Sequence, residues 1–113
     1  MDDASENLEI LHKILVEEYD VRLAKSGNMA LMILDSIKPD LILLDIEMPE
    51  MSGFDLLESI KIRPSLAEVP VIFVTAHASV NLVFKAEKQG ITDYIVKPFE
   101  RNTLLERVRK ALV

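Results

Sequence analysis

Three polar residues that each follow an apolar run are the positions in this sequence best suited to chemistry. They are Asp45, Thr75 and Lys97, which follow residues 41–44, 71–74 and 93–96. A carboxylate can act as a nucleophile toward phosphorus, an ammonium can bind a phosphoryl oxygen, and a hydroxyl can donate a hydrogen bond to another oxygen. Taken alone, each residue has a simpler explanation, because strands commonly end in a polar residue where they reach solvent. Together they indicate phosphoryl transfer to Asp45, with Lys97 as the binding group and Thr75 as a sensor.

Acidic residues near the N-terminus point to a metal ion. Asp2 and Asp3 precede the first predicted helix and would add two carboxylates to Asp45. Clustered carboxylates repel one another unless a cation neutralises them, and a site made only of hard oxygen ligands suits Mg²⁺. We therefore predict Mg²⁺ as the cofactor. The alternative is that Asp2 and Asp3 are simply favourable charges before a helix.

Short apolar runs alternate with amphipathic helical windows, a βα pattern that predicts one α/β domain with a parallel sheet. Uniformly apolar runs are typical of strands covered by helices on both faces, and ligands bind at the carboxyl ends of such strands. We predict four strands, at Val21–Ala24, Leu41–Leu44, Val71–Val74 and Asp93–Val96. We also predict five helices: Ser5–Glu18, Met29 to before Pro39, Phe54 to before Pro64, Ser79–Gln89 with Gly90 as its C-cap, and one through Leu104–Leu112.

Composition excludes several function classes. The 113 residues carry a net charge of -6, which argues against a nonspecific nucleic-acid binder. The absence of cysteine excludes a thiolate nucleophile and argues against structural zinc. No apolar run approaches the roughly 20 residues of a membrane span, and the N-terminus does not resemble a signal peptide. We predict a soluble, cytoplasmic protein without direct contact to nucleic acid or membrane.

Four segments, in order and at matching spacing, resemble the receiver domain of two-component response regulators. They are Pro39–Asp45, Met48–Gly53, Val74–Ala76 and Lys97–Phe99. The resemblance covers residues 1–113 and implies a flavodoxin-like, doubly wound parallel sheet in the strand order 2-1-3-4-5, with five helices.

The resemblance also implies roles for individual residues. Asp45 matches the phosphoacceptor, Thr75 matches the switch hydroxyl, and Lys97 matches the site lysine. Asp2 and Asp3 match the metal-binding acidic pair, and Glu47 matches the residue that ligates the metal through its backbone carbonyl. Tyr94 matches the aromatic residue that moves inward on activation. The Lys97-Pro98 bond would be cis. Tyr94 could instead serve only packing. His77 could affect attack of water on the acyl phosphate, or could be a solvent-facing loop residue.

The function implied is a phosphorylation-dependent switch rather than an enzyme with a separate substrate. A sensor histidine kinase or phosphotransfer protein would phosphorylate Asp45, and the surface of the fourth helix, fifth strand and fifth helix would then control an output or a homodimer. One alternative is a pseudo-receiver that acts only as an interaction or dimerisation module. A hydrolase of the aspartyl-phosphate type ranks lower, since Glu47 stands where such enzymes carry a second aspartate. The chain ends at Val113, so we expect either a stand-alone receiver or one domain of a longer protein.

The sequence departs from the family at its start, because Met1 immediately precedes Asp2 where receivers have an apolar first strand. About four buried aliphatic side chains would contribute about 6 to 12 kcal/mol, so we expect a monomer without them to be compromised. The chain could be truncated before the acidic pair, could receive a strand from another chain, or could pair its second strand with its third. We favour truncation, and strand exchange would be a second route to a homodimer.

Overall fold

The computed structural model describes residues 5–24, 26–45, 53–75, 84–85, 87–97 and 99–112, with the backbone alone for residues 5–8, 45 and 53. Within these residues the sheet has three parallel strands in the order β1-β2-β3: β1 (Ile42–Asp45), β2 (Val71–Thr75) and β3 (Asp93–Val96). All five residues of β2 are buried, as expected for a central strand covered on both faces. The prediction of a parallel α/β sheet is therefore confirmed.

Four complete helices are described: α1 (Ser5–Leu15), α2 (Gly27–Ser36), α3 (Gly53–Lys61) and α4 (Arg101–Leu112). Residues 84–85 and 87–88 are also helical and lie within the predicted fourth helix. Gly90 follows with a φ of 98°, the left-handed conformation expected of a glycine C-cap. In the part of the chain described, no helix is long and apolar enough to cross a membrane.

Two helix ends differ from the sequence prediction for local reasons. The second helix was predicted to begin at Met29, but α2 already begins at Gly27. Ser26 caps this helix, because its Oγ accepts a hydrogen bond from the backbone N–H of Met29 at 3.1 Å. At the first helix, α1 ends at Leu15 rather than at Glu18.

The side chains of the sheet alternate between two cores. Val71 and Phe73 of β2 pack toward α2 and α3, whereas Ile72 and Val74 pack toward α1 and α4. Phe73 makes an edge-to-face contact with Phe54 of α3, with ring centroids 5.4 Å apart. Helices thus cover both faces of the sheet, as in a doubly wound fold.

The prediction of a strand at Val21–Ala24 is wrong, because these residues form neither helix nor strand. Among the described residues, β1 has a single strand neighbour, β2. The expected order places another strand between Val21–Ala24 and β1, and the described residues include no strand at that place with which Val21–Ala24 could form a ladder. The same observation excludes pairing of the second predicted strand with the third. Ala24 is nevertheless buried in the core beside α2 and α3.

Candidate functional site

Asp45 is the last residue of β1, at the carboxyl edge of the sheet. Its backbone lies in register with Val74 of β2, one residue before Thr75. Leu44, directly before it, is fully buried, so packing of the apolar strand fixes where Asp45 leaves the core. The sequence placed Asp45 directly after a strand, and the structure makes it the final member of that strand.

Thr75 ends the central strand and carries the one buried polar side chain among the described residues. It is 3% exposed and lies in register with Val96 of β3. A buried hydroxyl is stable only when it is hydrogen-bonded, and apolar surroundings strengthen any electrostatic contact it makes. Its position beside the end of β1 therefore suits a group that responds to a new charge at that edge.

Lys97 follows β3 directly and is joined to the end of β2. Its backbone N–H donates a hydrogen bond to the carbonyl oxygen of Thr75 at 2.7 Å. This bond continues the ladder between β2 and β3 by one residue. The Lys97 side chain is partly buried. Asp45, Thr75 and Lys97 therefore follow one another across three adjacent strands, at the same edge of the sheet.

The predicted metal ligands Asp2, Asp3 and Glu47 lie outside the described residues, as do His77, Pro98 and the side chain of Asp45. Within the described part, no three His, Cys, Asp or Glu side chains cluster closely enough to hold a metal ion. The chemistry of the predicted set still fits Mg²⁺, since carboxylate and backbone carbonyl oxygens are hard ligands.

Comparison with protein families identifies this arrangement. Residues 1–109 match the model of the response regulator receiver domain. The chain belongs to this family. It is the receiver domain of a two-component response regulator, a signalling domain, and its fold is the flavodoxin-like fold expected from the sequence.

Known relatives support the assignment. The chain is 37% identical over 112 residues to a probable cyclic di-GMP phosphodiesterase of Vibrio cholerae, covering 99% of this chain and 25% of that protein. The structure matches chemotaxis protein CheY4 of Vibrio cholerae with a TM-score of 0.95 and 27% identity, covering 98% of this chain and 93% of CheY4. It also matches the receiver domain of the sensor histidine kinase PA1611 from Pseudomonas aeruginosa, with a TM-score of 0.90 and 26% identity, covering 99% of this chain and 93% of that domain. The PA1611 receiver domain has a magnesium ion coordinated in its active-site cleft. The chain spans about a quarter of the first curated relative, so activities of whole relatives are not assigned to it.

Tyr94, the predicted switch aromatic of the receiver domain, lies in β3 with its ring partly buried against the core beside α2 and α3. Three hydrogen bonds fix the backbone here. The Tyr94 N–H donates to Asp93 Oδ1 at 2.8 Å, while Arg107 Nη1 donates to Asp93 Oδ1 at 2.7 Å and to the Tyr94 carbonyl at 3.2 Å. We call this arrangement the Asp93–Arg107 clamp, and it joins α4 to the strand that carries Tyr94.

Sequence reasoning did not identify the contacts that Arg107 makes with Asp93 and Tyr94. Arg107 and Asp93 are 14 residues apart and lie on different elements, so no local spacing rule connects them. A second missed contact is that of Lys85 with α3, where Lys85 Nζ lies 4.4 Å from the ring centroid of Phe54.

Proposed function

We propose that this receiver domain accepts a phosphoryl group on Asp45 from a sensor histidine kinase or a phosphotransfer protein, and that it works in the cytoplasm as a two-component switch. The observation that carries the proposal is the strand register that brings Asp45, Thr75 and Lys97 to one edge of three adjacent strands. Family membership supports the same function.

In the proposed reaction, a carboxylate oxygen of Asp45 attacks the phosphorus of a phosphohistidine. The new P–O bond forms as the P–N bond breaks, and the electron pair of that bond returns to the imidazole. The product is an acyl phosphate on Asp45. The ammonium of Lys97 would bind one phosphoryl oxygen, and the hydroxyl of Thr75 would donate a hydrogen bond to another.

Mg²⁺ is the proposed cofactor, with the carboxylates of Asp2, Asp3 and Asp45 and the backbone carbonyl of Glu47 as its ligands. When bound, it would offset the negative charge of the transferring phosphoryl group. The hard-oxygen character of these ligands supports this assignment. So does the magnesium in the cleft of the PA1611 receiver domain.

The proposed output is a change in the surface formed by the predicted fourth helix, β3 and α4. Recruitment of the Thr75 hydroxyl by the phosphoryl group would alter the packing of Tyr94 on the neighbouring strand and shift the population of this surface. Phe84 and Val96 on this surface are 58% and 43% exposed, which supports docking of a partner or of a second receiver. The comparisons do not favour the pseudo-receiver alternative.

The direct test is to incubate the purified chain with Mg²⁺ and acetyl phosphate, and to measure the mass of the intact protein. We expect the mass of one phosphoryl group to be added to the wild type and not to Asp45→Asn. The matched control is Asp40→Asn, since Asp40 is exposed and lies before β1 rather than after it. This variant should be phosphorylated like the wild type. A phosphoryl adduct that persists in Asp45→Asn, or its absence from the wild type, would contradict the proposal.

A further inference from the structure

The side chain of Lys61 is held by backbone carbonyls rather than by an anion. Its Nζ donates hydrogen bonds to the carbonyl oxygens of Ala67 at 3.1 Å and of Val69 at 3.3 Å. Within the described part of the chain, no carboxylate forms an ion pair with Lys61. The contacts that hold this nitrogen therefore use its N–H donors and do not require a full positive charge.

Two carbonyl acceptors suit the neutral form of the amine. An ammonium carries three N–H donors, whereas a neutral amine carries two N–H donors and a lone pair. Both donors can bond to the two carbonyl oxygens while the lone pair stays available to react. Partial burial also favours the neutral form, because desolvation lowers the pKa of Lys61.

The surroundings of Lys61 leave its nitrogen accessible from one side. A β-carbon placed on Gly90 would lie 3.6 Å from Cε of Lys61, so the end of the aliphatic stem runs beside the turn at Gly90. Lys61 is partly exposed. Of the two acceptor residues, Ala67 is exposed, whereas Val69 is only 5% exposed. A reagent therefore reaches Nζ from the side of Ala67.

Two other lysines make contacts that depend on their charge. Nζ of Lys85 lies 4.4 Å from the ring centroid of Phe54, and Nζ of Lys88 lies 4.6 Å from that of Phe84. The face of an aromatic ring attracts a cation, so these contacts favour the ammonium, which has no lone pair for attack. Both lysines are exposed. Accessibility alone would therefore make them more reactive than Lys61, whereas the contacts predict the reverse.

We propose that Lys61 is an acylation site, at which the neutral amine takes an acyl group from an acyl phosphate or an acyl thioester. The lone pair attacks the acyl carbonyl carbon and forms a C–N bond. The bond from that carbon to the phosphate oxygen or the thioester sulfur breaks, and its electron pair leaves with the phosphate or thiolate. The nitrogen loses one proton to water. Positive charge develops on the nitrogen during attack, and the carbonyl oxygens of Ala67 and Val69 stabilise it.

Acylation would loosen the segment that leads into the central strand. The amide nitrogen of an acylated lysine carries one N–H, so it can bond to only one of the two carbonyl oxygens. Because the acyl group enters from the exposed side, we expect the bond to Ala67 to be lost and the bond to Val69 to be kept. The proposed modification thus acts on residues 62–70, and it does not rest on phosphorylation of Asp45.

The test compares lysines within one protein. The folded 113-residue chain is incubated without Mg²⁺, with limiting acetyl phosphate in one arm and limiting acetyl-coenzyme A in the other. After denaturation, deuterated acetic anhydride labels the remaining amines, and mass spectrometry of peptides gives the acetylated fraction of each lysine. We expect Lys61 to react at least about threefold faster than Lys85 and Lys88. A preference in either arm supports the proposal and identifies the class of donor.

Unfolding and an active-site variant serve as controls. In urea the preference for Lys61 should disappear, because the carbonyl and ring contacts are lost. Asp45→Asn should be acetylated at Lys61 like the wild type, and the mass of the adduct separates acetyl from phosphoryl groups. Failure of this proposal would therefore be distinguishable from failure of the proposed function.

Hydrogen exchange after acetylation tests the structural consequence. The backbone N–H groups of Leu66 and Val69 donate to the carbonyl oxygens of Arg63 at 3.0 Å and of Leu66 at 3.1 Å, within the segment that Lys61 holds. We expect acetylation to speed exchange at these two N–H groups but not in α4. The matched control is Lys61→Arg, which keeps a charged N–H donor and is not acetylated there. The same reagent should leave its exchange unchanged.

Three results would overturn the proposal. They are reaction of Lys61 no faster than that of Lys85 and Lys88 in both arms, a preference for Lys61 that persists in urea, and equal exchange at Leu66 and Val69 before and after acetylation of Lys61.

Discussion

Lys61, at the end of α3, contacts the backbone segment that leads from α3 into the central strand β2. Its Nζ donates hydrogen bonds to the carbonyl oxygens of Ala67 at 3.1 Å and Val69 at 3.3 Å. Both carbonyls belong to the segment that leads from α3 into β2. The ammonium is partly withdrawn from water to make these contacts, and this desolvation lowers the pKa of Lys61 from its ordinary value of 10.5.

The lowered pKa of Lys61 predicts a pH dependence of stability with a definite sign. Between the lowered pKa of the folded state and 10.5, the unfolded chain binds more protons at Lys61 than the folded chain. The free energy of unfolding contributed by Lys61 therefore rises with pH in this window. Urea unfolding of the wild type and Lys61→Met from about pH 8 to about pH 10 should show the wild type gaining stability relative to the variant. A difference that stays constant with pH would contradict the assignment.

Residues that end an apolar strand were predictable from the sequence, whereas residues whose side chains contact a different helix, strand or loop were not. Asp45, Thr75 and Lys97 follow apolar runs, and the parallel topology alone brings them to one edge. Lys61 and Arg107 carry no comparable signal, because their partners are set by how a loop or a helix packs on the sheet. The roles of Asp2, Asp3 and Glu47 stay predictions based on the resemblance.

At the scale of elements, the Asp93–Arg107 clamp couples the C-terminal helix to the strand that carries Tyr94. The Asp93 side chain is 23% exposed and that of Arg107 is 40% exposed. The clamp is thus better shielded from water than another ion pair of α4, between Arg109 and Glu18, whose side chains are 58% and 42% exposed. Shielding matters because ion pairs in full contact with solvent contribute little to stability.

We expect Arg107→Met to lower the free energy of unfolding by about 1 to 2 kcal/mol, since it leaves the carboxylate of Asp93 and the carbonyl of Tyr94 without this donor. Arg109→Met is the matched control, because the same substitution in the same helix removes an ion pair of equal length, 2.7 Å, in a more exposed place. It should change stability much less. Urea unfolding measures both values. Equal losses in the two variants would show that the clamp has no special role.

Prediction of elements succeeded where the local pattern and the tertiary environment agree. The strands β1, β2 and β3 were predicted within one residue of their bounds, because each contains a short apolar run. Val21–Ala24 was also predicted as a strand, but within the described part of the chain no strand lies beside it, and these residues form no ladder there. The Ser26 cap sets the start of α2 at Gly27, two residues before the predicted start at Met29.

At the scale of the molecule, the sequence prediction and the structure can be compared at the side of β1 that faces away from β2. The strand order implied by the resemblance places an apolar strand on the side of β1 that faces away from β2, and on that side the described residues line a largely apolar groove of about 720 Å³. We therefore expect apolar burial beside β1 to limit the stability of the whole domain.

Adding an apolar strand of about five residues and a short linker upstream of Met1 should therefore stabilise the domain strongly. About four aliphatic side chains buried in the groove would contribute at most about 6 to 12 kcal/mol, and even a small part of this should raise Tm by about 10 °C or more. The control is an extension of equal length made of Gly and Ser, which cannot fill the apolar groove. Equal Tm values for the two extensions would show that burial beside β1 does not limit stability, and that the groove is not a strand position.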